Sequence, residues 1–148
     1  MEKARKNLKE ISILILILLG LSIVRMILEI ALGGLGLTDI PEGVPKDLFR
    51  VTMIAIVVVS FILLLPQLYL GVKGLKVSAN PDASKGHIVW AKVLFVFGVI
   101  AAISCILDLF EKGNLFSDIL GLADIILDLC IYIIYIYNAN QVRASVLI

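Results

Sequence analysis

The sequence predicts an all-α polytopic membrane protein: a four-transmembrane-helix bundle with both termini cytoplasmic. Three observations predict it: an apolar excess, four long apolar runs broken by short polar links, and a one-sided distribution of lysine and arginine. Hydrophobic residues make up 61% of the 148 and charged residues 17%, with a mean hydropathy of +1.09. A soluble domain sits near half apolar and about a quarter charged. Only helices and closed barrels satisfy every backbone group in hydrocarbon. The runs are continuous rather than alternating, which argues for helices over a barrel. The net charge of +1 points to no nucleic-acid partner.

The four spans fall at about 11–35, 48–72, 88–110 and 118–137, in one transmembrane domain covering 1–148. The first follows a basic amphipathic start with Lys3, Arg5, Lys6 and Lys9. Its length, its internal charges and the lack of a small-residue cleavage site mark a retained span rather than a secretory signal. Pro41, Gly43 and Pro45 make the next stretch a loop. Pro66 lies near the end of the second span and is expected to kink it.

The connection GVKGLKVSANPDASKGH follows, in which Asn80 reads as an N-cap and Pro81 as the first position of a helix. The link from Glu111 to Ser117 is short, so the third and fourth spans should form an antiparallel hairpin, with Ser117 as N-cap. Four spans return both termini to one side. That side carries Lys3, Arg5, Lys6, Lys9, Lys73, Lys76, Lys85, Lys92 and Arg143, and the other Lys46, Arg50 and Lys112. Nine against three makes the terminal side cytoplasmic by the positive-inside rule. Trp90, Tyr69, Tyr132, Tyr135 and Tyr137 fall near that inner boundary, as an aromatic belt would.

Polar residues inside the spans are the candidate site. Arg25 and Glu29 interrupt the first span, Ser104 and Asp108 the third, and Asp124 and Asp128 the fourth. Counted by helical rise, Arg25 lies roughly 10–15 Å below the outer surface, Asp124 roughly 9 Å and Asp128 roughly 15 Å. Arg25 is therefore expected to face the two aspartates. Ser22, Thr52, Ser60, Gln67, Ala101, Gly121 and Tyr132 extend these polar stripes at helical spacing. Charged groups are costly against lipid, so the stripes are expected to converge in an outer-half polar pocket. Four carboxylates against one arginine do not balance there. Either a carboxyl carries a proton, with Asp128 as the candidate, or a proton or small cation shares the site.

Other residues carry weaker signals. Cys105 and Cys130 form no CxxC pair and are expected to be buried as small apolar residues. His87 is expected to be a solvated interfacial residue beside Trp90. Gly98, Ala101 and Ala102 would permit close helix approach. The inner lysines read as topology markers more than as lipid-binding groups.

The stretch from Gly71 to Ile100 carries a Gly-x-x-Gly pair at Gly71 and Gly74, then Asn80-Pro81-Asp82 and Lys85 before a span. In this it resembles small uncharacterised four-span bacterial membrane proteins. The resemblance covers about a third of the chain and implies the four-span topology and a bacterial inner membrane, but no activity. Small multidrug transporters place one acidic residue in an otherwise clean first span, whereas Glu29 lies near the outer end with Arg25 beside it and this chain is longer. Membrane glutathione transferases, quinone-linked disulfide enzymes and claudin-like proteins each require a motif this chain lacks.

The expected function is that of a small non-enzymatic integral membrane protein, accessory or scaffolding, that recognises a partner in the bilayer, either another copy or a different membrane protein. The alternative is a small transporter or channel using Arg25, Glu29, Asp124 and Asp128. No nucleophile, metal-ligand set or cofactor loop is apparent, so neither catalytic residues nor a cofactor are expected.

Overall fold

The computed structural model describes residues 2–34, 45–112 and 115–147, with some side chains inside the helices left aside. The described chain is all helical: α1 Glu2–Gly34, α2 Lys46–Ala79, α3 Gly86–Lys112 and α4 Leu115–Ala144. Three of its stretches are long and apolar enough to cross a membrane among the described residues: Glu2–Leu28, Gly86–Leu107 and Gly121–Ala144. The expected loop residues Pro41 and Gly43 lie outside the described residues.

Each helix is longer than its apolar run. The 33 residues of α1 extend about 50 Å, against the ~30 Å of a hydrocarbon core. The added length corrects several expectations. The segment read as a polar connection after residue 72 is helical through Ala79. Asn80 closes α2 rather than opening the next helix, its N–H donating to the Lys76 carbonyl at 2.8 Å. The reason is packing: Leu70, Gly71, Gly74, Val77 and Ser78 continue a buried stripe at helical spacing past the end of the apolar run. Pro81 consequently lies in the non-helical linker 80–85, and α3 begins at Gly86. Ser117 lies inside α4 rather than at its cap. The helix α2 runs through Pro66 as one element.

Helices α1 and α2 pack extensively together, as do α3 and α4, while α1 also lies along α4. A Cβ at Gly71 would meet Leu16, and one at Gly98 would meet Leu129 at 2.8 Å. Gly98 thus allows the close approach expected of it. The Arg5 side chain reaches the end of α2, and that of Arg143 reaches the linker through Ala83. The start of α1, the 80–85 linker and the end of α4 therefore share one end of the bundle.

That end holds the core. Ala4, Leu8 and Ile15 of α1 cluster with Leu70 and Val77 of α2, Ile88 and Ala91 of α3, and Ile131, Tyr132, Tyr135, Ala139 and Val142 of α4. Ser12 and Leu19 are buried on the same face of α1. Among the described side chains of the other half, Met26 alone is buried. Two expectations fall here. Tyr132 and Tyr135 are core residues, not belt residues, whereas Tyr69, Tyr137 and Trp90 are exposed. Cys130 is exposed, off the buried stripe of α4, and Cys105 is half-buried, in register with Ala91, Gly98 and Ala102 on α3.

Candidate functional site

One face of α4 carries the chemistry. Asp124, Asp128, Tyr132 and Tyr135 follow at intervals of four, four and three residues, which stacks them along one side of a helix. Burial increases along this stripe. Asp124 is exposed, Asp128 half-buried, Tyr132 buried and Tyr135 fully enclosed. The two aspartates are one turn apart, so each is the other's nearest like charge on the helix.

The tyrosines tie α4 to α2. Gln67 Nε2 donates to the Tyr132 hydroxyl at 3.0 Å, joining two residues placed on separate polar stripes by sequence. The Tyr135 hydroxyl donates to the Leu70 carbonyl at 3.1 Å. Its ring meets the His87 imidazole edge-on, with centroids 6.0 Å apart and planes at 84°. Gly74 makes this junction possible, since a Cβ there would fall 2.8 Å from Tyr135 Cε2 and would also collide with Ser12 Oγ.

His87 is fully buried, which overturns the expectation of a solvated interfacial residue. It sits in the first turn of α3, where the 80–85 linker folds over it. Its Nδ1 lies 3.5 Å from Ser84 Oγ. The Ser84 hydroxyl and backbone N–H both donate to Asp82 Oδ1, at 2.5 and 3.0 Å. Lys73 binds Asp82 Oδ2 at 2.5 Å. With the Ser84 hydrogen committed to Asp82, the favourable arrangement has Nδ1–H of His87 donating weakly to Ser84 Oγ. Nε2 is then an acceptor, and no hydrogen-bond partner meets it among the described residues. Lys73 and the Ser84 hydroxyl hold the Asp82 carboxyl down to about 2 from its usual 3.8. The order Asp–Ser–His places serine in the middle, so no imidazole stands between carboxylate and hydroxyl to activate a nucleophile.

The sequence-predicted polar residues differ in exposure. Arg25, Ser104 and Asp124 are exposed and Asp128 is half-buried. Arg25 is engaged with a neighbouring group. The side chains of Glu29 and Asp108 lie outside the described residues. No group of three or more histidine, cysteine or carboxylate side chains that could hold a metal forms among the described residues. The network around His87 was missed because its members lie on α2, the linker, α3 and α4. One local signal was available: Asp-x-Ser at Asp82 and Ser84 is an Asx-turn pattern, with the acceptor two residues before its donor.

No protein-family profile, curated protein or solved structure matches the chain. The side chains themselves must therefore carry any functional reading.

Proposed function

We propose that this is a small non-enzymatic integral membrane protein of four spans, with both termini cytoplasmic, that recognises a partner within the bilayer. The partner is a second copy or another membrane protein. The positive-inside count supports the orientation, and the shared terminal end of the bundle agrees with an even number of crossings. The observation that carries the reading is the contrast between the two halves. The terminal end is closed around Tyr135, while Asp124 and Ser104 in the other half are exposed on spans. A carboxylate facing lipid is costly. A partner helix offering a donor or cation would cover it.

The test is in-membrane crosslinking of single-cysteine variants along the exposed faces of α3 and α4, with and without Asp124→Asn and Asp128→Asn. Crosslinks at helical periodicity that weaken in the asparagine variants support recognition through the carboxylates. Absence of any crosslinked species in native membranes would refute it.

The α4 stripe favours a second reading, a small proton or cation transporter. Asp128 stands at the boundary between the exposed carboxylate and the buried tyrosines, where a site reached from one side would be placed. Proton uptake into vesicles that disappears in Asp128→Asn, with assembly retained, would select this reading over the first.

A further inference from the structure

The start of α1 and the end of α2 border an open cleft of about 650 Å³, lined by Glu2, Arg5, Lys6, Lys9 and Ser78. Its floor is built by Arg5. The Arg5 Nε donates to the Ser78 carbonyl at 2.9 Å and Nη2 to the Ala79 carbonyl at 2.6 Å. These are among the last carbonyls of α2, which have no partner within the helix. Arg5 therefore neutralises the negative end of the α2 dipole, and with three of its five N–H groups uncommitted to these bonds it still offers donors. Lys6 and Lys9 flank it and are exposed. Lys6 has an ion-pair partner in Glu10 at 3.9 Å, but both side chains are well exposed, and a pair of that kind holds its lysine weakly. Three cations stand against the single carboxylate of Glu2.

The apolar run begins at Ile11, two residues after Lys9. On the membrane-spanning reading given above, the cleft thus opens at the level of phospholipid headgroups. We propose that it is a binding site for one anionic phospholipid. Arg5, Lys6 and Lys9 take the phosphodiester, and Glu2 accepts from a headgroup hydroxyl. The phosphate matches the guanidinium fork and two flexible ammonium groups. The acyl chains continue along the exposed apolar surface of α1, where Ile13, Leu14 and Ile17 are open. A lipid seated here would bridge α1 and α2 at the closed end of the bundle.

The full-length protein in mild detergent is titrated with phosphatidylglycerol, with phosphatidylcholine and with inorganic phosphate, and bound lipid is read by native mass spectrometry. Phosphatidylglycerol is expected to bind at least tenfold more tightly than phosphatidylcholine, and millimolar phosphate is expected not to displace it. Lys6→Gln/Lys9→Gln should weaken phosphatidylglycerol about 30-fold, or about fivefold per lysine. Lys85→Gln/Lys92→Gln removes two exposed lysines outside the cleft and should weaken it less than threefold. Equal losses in the two double variants would overturn the site in favour of diffuse surface charge. Displacement by phosphate would make it a free-anion site, and equal affinity for both lipids would overturn it as well. Alkaline carbonate extraction of native membranes tests the membrane reading separately, because an integral protein stays in the pellet whether or not it binds this lipid.

Discussion

Alanine at Gly74 is a sharp probe of the closed end. The added methyl would sit 2.8 Å from Tyr135 Cε2 and 2.9 Å from its hydroxyl, and would also collide with Ser12 Oγ. Neither neighbour is the loose end of a flexible chain. Ser12 Oγ is held by the Leu8 carbonyl at 2.7 Å, and Tyr135 is fixed by Leu70 and by the His87 ring. Helices α1 and α4 would have to move away from α2. Overpacking of this kind costs about 1–3 kcal/mol, while replacing glycine by alanine inside a helix returns up to about 1 kcal/mol. The net expectation is a loss of about 1–2 kcal/mol.

Gly20 is the internal control. It is also inside a helix, but nothing lies within 4 Å of its Cβ position. Gly20→Ala should therefore stabilise by up to about 1 kcal/mol through propensity alone. The two substitutions are chemically identical and opposite in predicted sign. Reversible unfolding in mixed micelles of increasing denaturing detergent measures both. Ser12→Ala should recover part of the Gly74→Ala loss, with a coupling on the order of 0.5 kcal/mol or more. If Gly74→Ala is as stable as Gly20→Ala, the three-helix contact is refuted.

Further outcomes follow from the same end of the bundle. Tyr135→Phe removes only the bond to Leu70 and should cost about 0.5–1.5 kcal/mol, whereas Tyr135→Ala also empties the core and should cost about 3–5 kcal/mol in the same unfolding assay. Gln67→Leu and Tyr132→Phe should each cost about 0.6 kcal/mol, and the double variant no more than either, because they remove one shared bond. Asp82 is more acidic in the folded chain than when unfolded, so its contribution is complete above about 4 and is lost as pH falls toward about 2. Asp82→Asn should flatten that part of the pH profile of protease resistance at the 80–85 linker, and an unchanged profile would count against the Lys73–Asp82 strap.

Residue type and period carry the helices, since four apolar runs between polar links admit little else. They do not carry where a helix stops once it leaves the apolar run. Val77, Ala139 and Val142 lie in stretches that read as polar connections or tails, yet all three are buried. Their burial comes from neighbouring helices of similar overhang, which a single run does not reveal. His87 is the same lesson in one residue. Beside Trp90 in sequence it looks interfacial, but the linker folded by Asp82 and Ser84 covers it. The acidic pair on α4 was legible as a helical stripe. Its continuation into Tyr132 and Tyr135 was legible only in part, because tyrosine near a span end more often marks the interface.

On the four-span reading, the closed end has two sources of cohesion. Ile15, Leu70 and Ile131 lie inside the spans, where moving an apolar side chain from lipid to a helix interface changes its solvent very little. Ala4, Leu8, Val77, Ala139 and Val142 lie beyond them, where burial removes apolar surface from water. What distinguishes this end is close approach and hydrogen bonding. Gly71 and Gly74 leave room for the side chains of Leu16, Ser12 and Tyr135, while Gln67–Tyr132, Tyr135–Leu70, Arg5–Ser78 and Arg143–Ala83 each join separate elements. The other half carries Asp124, exposed on α4. On the partner-recognition reading, a bundle fastened at one end and carrying an exposed carboxylate toward the other can admit a partner helix without unfolding, because the contacts that fasten it are remote from Asp124. On this reading Gly74→Ala should lower stability without abolishing partner crosslinking, whereas Asp124→Asn should weaken crosslinking at nearly unchanged stability. A single variant that abolished both would show that the two halves are one cooperative unit.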